Sequence, residues 1–235
     1  MTIAKARLCH APPSADDASF VEIIRISPRV WVHTSSMTIN GSRVDSNGLI
    51  VDLPNGIVLA DTCWNDAQTR TLLKKIEDAF HKPVLLAVIT HAHDDRIGGI
   101  RALREKGIKA VCTPLTKQKA VAAGYPAPLP ELNDDITTFA FDGFSIEVFY
   151  PGAGHTEDTI TVWVPSDSVL FGACLVKSME TKNLGNTADA VIHEWAASIR
   201  RLISRYPDAS IVIPGHGKWG GSELLRHTLE LCPRQ

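Results

Sequence analysis

The sequence has no apolar run long enough to cross a bilayer. Its longest runs, such as Val84–Ile89 and Ile211–Pro214, fall far short of the roughly 20 residues a spanning helix needs. It also has no excess of positive charge. Lys plus Arg number 24 against 26 Asp plus Glu, a net charge of −2, which excludes the broad basic field that would bind nucleic acid or a membrane surface. There is no C-x-x-C pair. The five cysteines, Cys9, Cys63, Cys112, Cys174 and Cys232, are odd in number and scattered, so no disulfide framework is expected and any thiolate metal ligand must act singly. The first residues carry two cations but no apolar stretch of roughly 7–15 residues behind them, so no secretory signal peptide is visible there. No Walker loop or G-x-S-x-G elbow occurs. Gly215, Gly217 and Gly220 fit G-x-G-x-x-G, but the strand and acid that a dinucleotide fold would place about 20 residues on are missing.

What is present is a foldable α/β chain, 235 residues with 44% hydrophobic and 21% charged residues, enough apolar material for one large core or two small ones. Residues 1–19 are polar and without period and are expected to form a poorly ordered tail. Residues 20–235 are expected to form one domain. From Phe20, short β-branched runs separated by Ser27-Pro28, Asn40-Gly41 and Pro54-Asn55-Gly56 predict an antiparallel meander. A helix follows, its start resembling a capping box at Asn65 and Gln68. Strand Val84–Thr90, a helix from about Asp95 to Lys106, strand Ile108–Thr113 and a helix at Pro114 come next. Strands from Thr137 to Ala173, a helix carrying Trp195, strand Ser210–Ile213 and a last helix then echo the first half. Two such halves without a linker predict two mixed sheets packed face to face with helices outside, an αββα sandwich.

The sharpest local feature is T-H-A-H-D-D-R-I-G-G, where an apolar strand ends and a helix begins. In extended backbone, positions i and i+2 point the same way, so His91 and His93 can share one ion, while Asp95 on the turn can reach another. This favours a metal site over a capped helix start with two chance histidines. His155, Cys174 and His216 each follow an apolar strand in the same manner. Each taken singly is as well explained as a satisfied core residue, but together they make six donors, enough for two adjacent sites that leave a position open for water. His10, His33, His81, His193 and His227, with Cys63, Cys112 and Cys232, fit structural or solvated roles better.

The segments H-A-H-D-D-R, Y-P-G-A-G-H-T-E-D, G-A-C-L-V-K-S, N-L-G-N-T-A-D-A and V-I-P-G-H-G, in this order, resemble the zinc metallo-β-lactamases over nearly the whole chain from Phe20. The likeness is to the broad-spectrum di-zinc subclass. Cys174 stands where thiolester hydrolases of the same superfamily carry a bridging aspartate, and Arg96 where they carry another histidine.

The resemblance implies a first Zn2+ on His91, His93 and His155 and a second on Asp95, Cys174 and His216. It implies attack on the lactam by metal-bound hydroxide, with Asp95 as ligand and orienter. It further implies Lys177 as partner of the substrate carboxylate, Asn186 near the carbonyl oxygen, and Asp61 and Arg96 supporting the ligands from behind. The segment Ser35–Val44 would be a hairpin over the substrate, with Met37 and Ile39 offering apolar contact and Trp64 a pocket wall. Hydrolysis of penicillins, cephalosporins and carbapenems, antibiotic resistance, a periplasmic or secreted location and a monomer acting on a small molecule are the corresponding expectations. A thiolester or other hydrolase of the same fold, or a non-catalytic zinc-binding protein, is the alternative. Ala173 stands where a glycine is common before the cysteine, an exchange expected only to adjust packing.

Overall fold

The computed structural model describes residues 20–133 and 135–233; the expected tail, with Cys9 and His10, lies outside them. Six strands form the first sheet in chain order: β1 (Val21–Arg25), β2 (Val30–Ile39), β3 (Ser42–Leu53), β4 (Gly56–Ala60), β5 (Val84–Val88) and β6 (Ala110–Val111). The first four are antiparallel neighbours, and β5 and β6 join in parallel. The second sheet comprises β7 (Ile136–Phe141), β8 (Phe144–Phe149), β9 (Thr161–Val164), β10 (Val169–Ala173) and β11 (Ile211–Pro214), in the order β11-β10-β9-β8-β7. Of the neighbouring pairs in this sheet, β10 and β11 pair in parallel and the others antiparallel.

Alternation of side chains makes this a layered structure. Leu49, Val51, Val58, Ala60 and Val88 of the first sheet meet Ile146, Val148, Val162, Phe171 and Ile213 of the second in a central apolar layer. The intervening residues point outward. Ile50, Ile57 and Leu59 take the stripe Leu72, Leu73 and Ile76 of helix α1 (Asp66–Phe80). Leu170 and Val212 take Trp195, Ile199 and Leu202 of α5 (Ile192–Arg205), and Leu224 and Leu225 of α6 (Glu223–Leu231). The sandwich is the αββα arrangement expected from the sequence.

Three local features depart from the sequence expectation. The helix expected after His93 is broken into α2 (Asp94–Ile97) and α3 (Ile100–Glu105). At the break, a side chain on Gly98 would meet the Trp64 carbonyl oxygen at 2.0 Å, and one on Gly99 the Thr69 hydroxyl at 1.7 Å, so this backbone is pressed against the start of α1. The meander strands β2 and β3 run on to the Asn40-Gly41 turn, so the segment Ser35–Val44 is strand on both sides, with Ser36 opposite Asp45 and Met37 opposite Val44. At the capping box, Asn65 accepts from the Gln68 backbone N–H at 2.9 Å, while the buried Gln68 amide donates to the Ser36 carbonyl at 2.6 Å. The helix (Pro114–Ala122) expected at Pro114, labelled α4, is capped by Thr113.

Candidate metal centre

The candidate residues come from one end of the sandwich. β4 and β5 run parallel, as do β8, β10 and β11, so chain segments leaving these strands emerge at shared edges. The two sheets are joined there, since the Asn47 N–H donates to Gly215 O at 2.9 Å and its side chain donates to Pro214 O at 3.1 Å.

After β5, His91 is fully buried and His93 half-buried, and His155 reaches them from the turn after β8. Their ring centroids lie 4.9, 5.0 and 5.0 Å apart, with planes 75–88° to one another. His93 Nδ1 and His155 Nε2 face each other at 3.1 Å, and His91 Nε2 is buried with no hydrogen-bond partner. Zinc–nitrogen bonds of ~2.0–2.1 Å in a tetrahedron hold donors about 3.3 Å apart, so three nitrogens converging in this way fit one ion. Burial, and then the neighbouring imidazoles, hold His91 well below the ordinary histidine range; burial and Lys177 do the same for His155. Both rings are thus neutral, as ligands must be.

Beside this set lies a triangle of mixed donors. Asp95 Oδ2 is 3.2 Å from His216 Nε2 and 3.5 Å from Cys174 Sγ, and Cys174 Sγ is 3.4 Å from His216 Nε2. Donor atoms of His91, Asp95 and Cys174 also lie within 4.8 Å of one another, so the two sets adjoin and can hold two ions as neighbours. Although burial alone would raise Asp95, the Arg96 guanidinium, then His216, holds its carboxyl well below the usual range. Burial would lower His216, but Cys174 and Asp95 raise it to about 10.

The remaining candidates fall around these sets. Arg96 is fully buried; its Nη2 lies 2.7 Å from Asp95 Oδ2 and donates to Gly215 O at 2.8 Å, and its Nη1 contacts the Asn47 carbonyl and, at 3.3 Å, Asp61 Oδ2. Asp61, at φ +66°, accepts from the Thr90 N–H at 2.7 Å and its hydroxyl at 2.8 Å; that hydroxyl is 3.3 Å from His91 Nδ1. Lys177 is 8% exposed and forms no ion pair among the described residues, and its ammonium faces Gly185, next to Asn186. Asn186 is exposed, with Oδ1 accepting from the Ala188 N–H at 3.1 Å. The Trp64 ring lies 6.4 Å from that of His216, tilted at 42° to it. Met37 and Ile39 are half-buried on the β2–β3 hairpin, whose Asp45 carbonyl lies 2.7 Å from His216 Nδ1.

Some contacts have no signal in the local sequence. Asp189 lies 3.3 Å from His93 Nε2 and Asp158 accepts from the Ala92 N–H at 3.1 Å, so carboxylates steady the H-x-H segment from two loops. Ala173 corrects another expectation. Its φ is +46°, a left-handed conformation that favours glycine, so the exchange strains the backbone just before Cys174 rather than adjusting packing. The structural reading of Cys63 and Cys112 agrees with their burial, which pushes both thiols up to about 12.

Comparison with known proteins agrees with this architecture. Residues 41–216 match the model of the metallo-beta-lactamase superfamily. A metallo-beta-lactamase type 2 from Bacillus sp. (strain 170) is 47% identical over 216 residues, 92% of this chain and 84% of that protein. One of the same name from Bacillus cereus is 45% identical over the same shares. The solved metallo-beta-lactamase from Pontibacter korlensis superposes with a TM-score of 0.88 at 44% identity, covering 92% of this chain and 100% of its own. Sequence match, fold and the metal-competent donor sets agree: the chain belongs to the metallo-β-lactamase family of metal-dependent hydrolases.

Proposed function

We propose that this protein hydrolyses the amide bond of penicillins, cephalosporins and carbapenems with two zinc ions, one held by His91, His93 and His155 and the other by Asp95, Cys174 and His216. The observation that carries this reading is the adjacency of the two donor sets, with His91, Asp95 and Cys174 donor atoms within 4.8 Å of one another. Bound there, zinc supplies Lewis-acid polarisation of a carbonyl and brings the ionisation of water near neutrality.

The chain's own groups do the rest. Lys177, nearly buried and without a carboxylate partner among the described residues, offers a point charge to the substrate carboxylate. Asn186 has its Oδ1 committed to the Ala188 N–H, so its Nδ2 hydrogens are the ones left to donate to a carbonyl oxygen. Asp95 turns Oδ2 to Arg96, His216 and Cys174, which leaves Oδ1 to orient the proton that must reach the departing amide nitrogen. Trp64, Met37 and Ile39 supply apolar contact. Asp61 and Arg96 hold the donors in place from behind. A role in antibiotic resistance and a periplasmic or secreted location go with this reading. The family likeness supports both, and no helix among the described residues is long and apolar enough to cross a membrane.

Hydrolysis of nitrocefin and imipenem, abolished by a chelator and restored by zinc, tests the proposal. A fully zinc-loaded protein that leaves both intact refutes it. A thiolester cleaved in preference to either would favour the related hydrolase reading.

A further inference from the structure

Helix α5 backs the metal-bearing end of the second sheet, and one of its residues touches two separate parts of the site. The Trp195 indole is fully buried, and its Nε1–H donates to the Leu175 carbonyl at 2.8 Å, which fixes the plane of the ring. The Lys177 Nζ lies over that ring, 5.1 Å from its centroid. The His155 imidazole meets it edge-on, with centroids 5.8 Å apart and planes at 66°. Around this contact the helix grips the His155 loop through its backbone, since Ser198 Oγ donates to Ala153 O at 2.7 Å and the Val191 N–H to Gly154 O at 2.8 Å. A side chain on Gly154 would meet Leu175 Cδ1 at 2.4 Å and the indole at 3.2 Å, so the loop lies close against both.

His155 and Lys177 leave different strands, β8 and β10, and no hydrogen bond joins their side chains among the described residues. His155 Nδ1 is buried without a hydrogen-bond partner, and the Lys177 ammonium has no ion pair among the described residues. A lysine has four rotatable bonds, whereas a pinned indole has none to spare, so contact with one rigid ring restricts both groups. The negative face of the ring also steadies an ammonium while leaving its hydrogens free for an incoming carboxylate, which a protein carboxylate would not.

We propose that Trp195 is a positioning residue that holds the Lys177 ammonium and the His155 imidazole in fixed relation to each other, coupling recognition of the substrate carboxylate to the three-histidine site. This rests on the reading of Lys177 and His155 given above.

The test uses Trp195→Leu and Trp195→Phe, each alone and combined with Lys177→Ala. KM and kcat are measured on a carboxylate-bearing β-lactam, and zinc affinity is measured on the metal-free protein by competition with a chromophoric chelator. Trp195→Leu should raise KM about 2- to 30-fold, with a smaller change in kcat, and weaken the tighter zinc site about 10- to 100-fold. Trp195→Phe keeps an aromatic face and should recover most of both losses. In the Lys177→Ala background, Trp195→Leu should add nothing further to KM. Should the Leu variant not fold, protein made with fluorinated tryptophans, whose ring faces are less negative, should show KM rising with fluorine number only while Lys177 is present. Unchanged KM and zinc affinity in Trp195→Leu, equal losses in the Leu and Phe variants, or a KM penalty that persists without Lys177 would each overturn the proposal. Lys177→Ala with an unaltered KM would strike down the carboxylate-anchor reading and the substrate half of the proposal, and the zinc competition then decides the His155 half.

Discussion

Replacing Arg96 with Met removes a cation that the fold has placed between two buried carboxylates. The guanidinium is inaccessible to solvent and lies 2.7 Å from Asp95 Oδ2 and 3.3 Å from Asp61 Oδ2. With charge centres about 4 Å apart and an effective dielectric near 20, each pair is worth roughly 4 kcal/mol before desolvation. Breaking a buried pair by removing one partner costs about 3–5 kcal/mol net. The two carboxylates do not count equally. Burial pushes Asp61 up to about 7, against the lowering effect of Arg96 and Thr90, so at pH 6 it is largely neutral and gains little from the cation. Asp95 stays ionised and carries most of the loss, giving an expected destabilisation of about 4 kcal/mol in the metal-free protein at pH 6. The pH dependence has a definite sign. An acid whose folded pKa is raised loses stability as pH climbs from its unfolded value near ~3.9 to its folded value, then levels off. Without Arg96 that levelling point moves above 7, so the cost should grow between pH 7 and pH 8 by up to ~1.4 kcal/mol. Urea unfolding of chelator-treated protein at pH 6 and pH 8 measures both terms. A variant within about 1 kcal/mol of the parent would refute the account of Arg96, since a broken buried pair cannot be so cheap. Equal costs at the two pH values would refute the part assigned to Asp61.

Cys174→Ser puts a hard hydroxyl in place of a soft sulfur in the Asp95–Cys174–His216 triangle. On the proposed two-zinc reading it should weaken binding of the second ion by more than the roughly 10- to 100-fold that loss of a ligand's hydrogen-bond partner costs, and zinc content after dialysis should fall toward one ion with a loss of turnover. Unchanged content and rate would contradict that role. His33 is 1% exposed and burial lowers it to about 4, so stability from its neutral form is present above pH 6.5 and lost as pH falls toward 4. His33→Gln should therefore lose about 2 kcal/mol less than the parent between pH 7 and pH 5 in urea unfolding, and parallel losses would show that His33 does not titrate in this way. Ala173→Gly relieves a left-handed alanine and should stabilise the fold by about 0.5–1 kcal/mol; a lower thermal midpoint would show that the φ of +46° carries no strain.

The strand ends were legible because the code for a buried strand is loud and stops abruptly. Val84–Val88, Val169–Ala173 and Ile211–Pro214 are nearly all apolar, and the first ionisable or thiol side chains after them are the candidate donors. The fold followed from the same signal, since outward residues such as Ile57, Leu59 and Leu170 are also apolar and must be covered by helices. The full length of β2 and β3 was harder to read. Beyond Thr34 the strand is Ser35, Ser36, Met37 and Thr38, and it persists because Ser46 and Asn47 opposite are buried and hydrogen-bonded to Asp95 and to the β11 loop, partners that no local pattern announces. Asp158, Asp189 and Trp195 escaped for a related reason. An acid in a loop and an aromatic on an apolar helix stripe are explained locally by solvent and by core, so their contacts with Ala92, His93, His155 and Lys177 appear only once distant segments meet.

The end of the sandwich that carries the site is held by means unlike those of the rest. Elsewhere the layers rest on apolar contact. At this end Asp61, Thr62, Thr90, His91, Asp95 and Arg96 are all buried, and two non-glycine residues, Asp61 and Ala173, sit at positive φ beside them. Left-handed strain costs about 1–3 kcal/mol for each such residue, and a buried ion is tolerated only with its partner in place. The central layer between the sheets offsets those costs at a distance, because it includes β4, β5, β10 and β11, the strands from which Asp61, His91, Cys174 and His216 follow. Rigidity at the strand ends is therefore inherited from the apolar layer, while the chemistry belongs to the few residues just past it, where the chain is free of the alternation that the sheets impose.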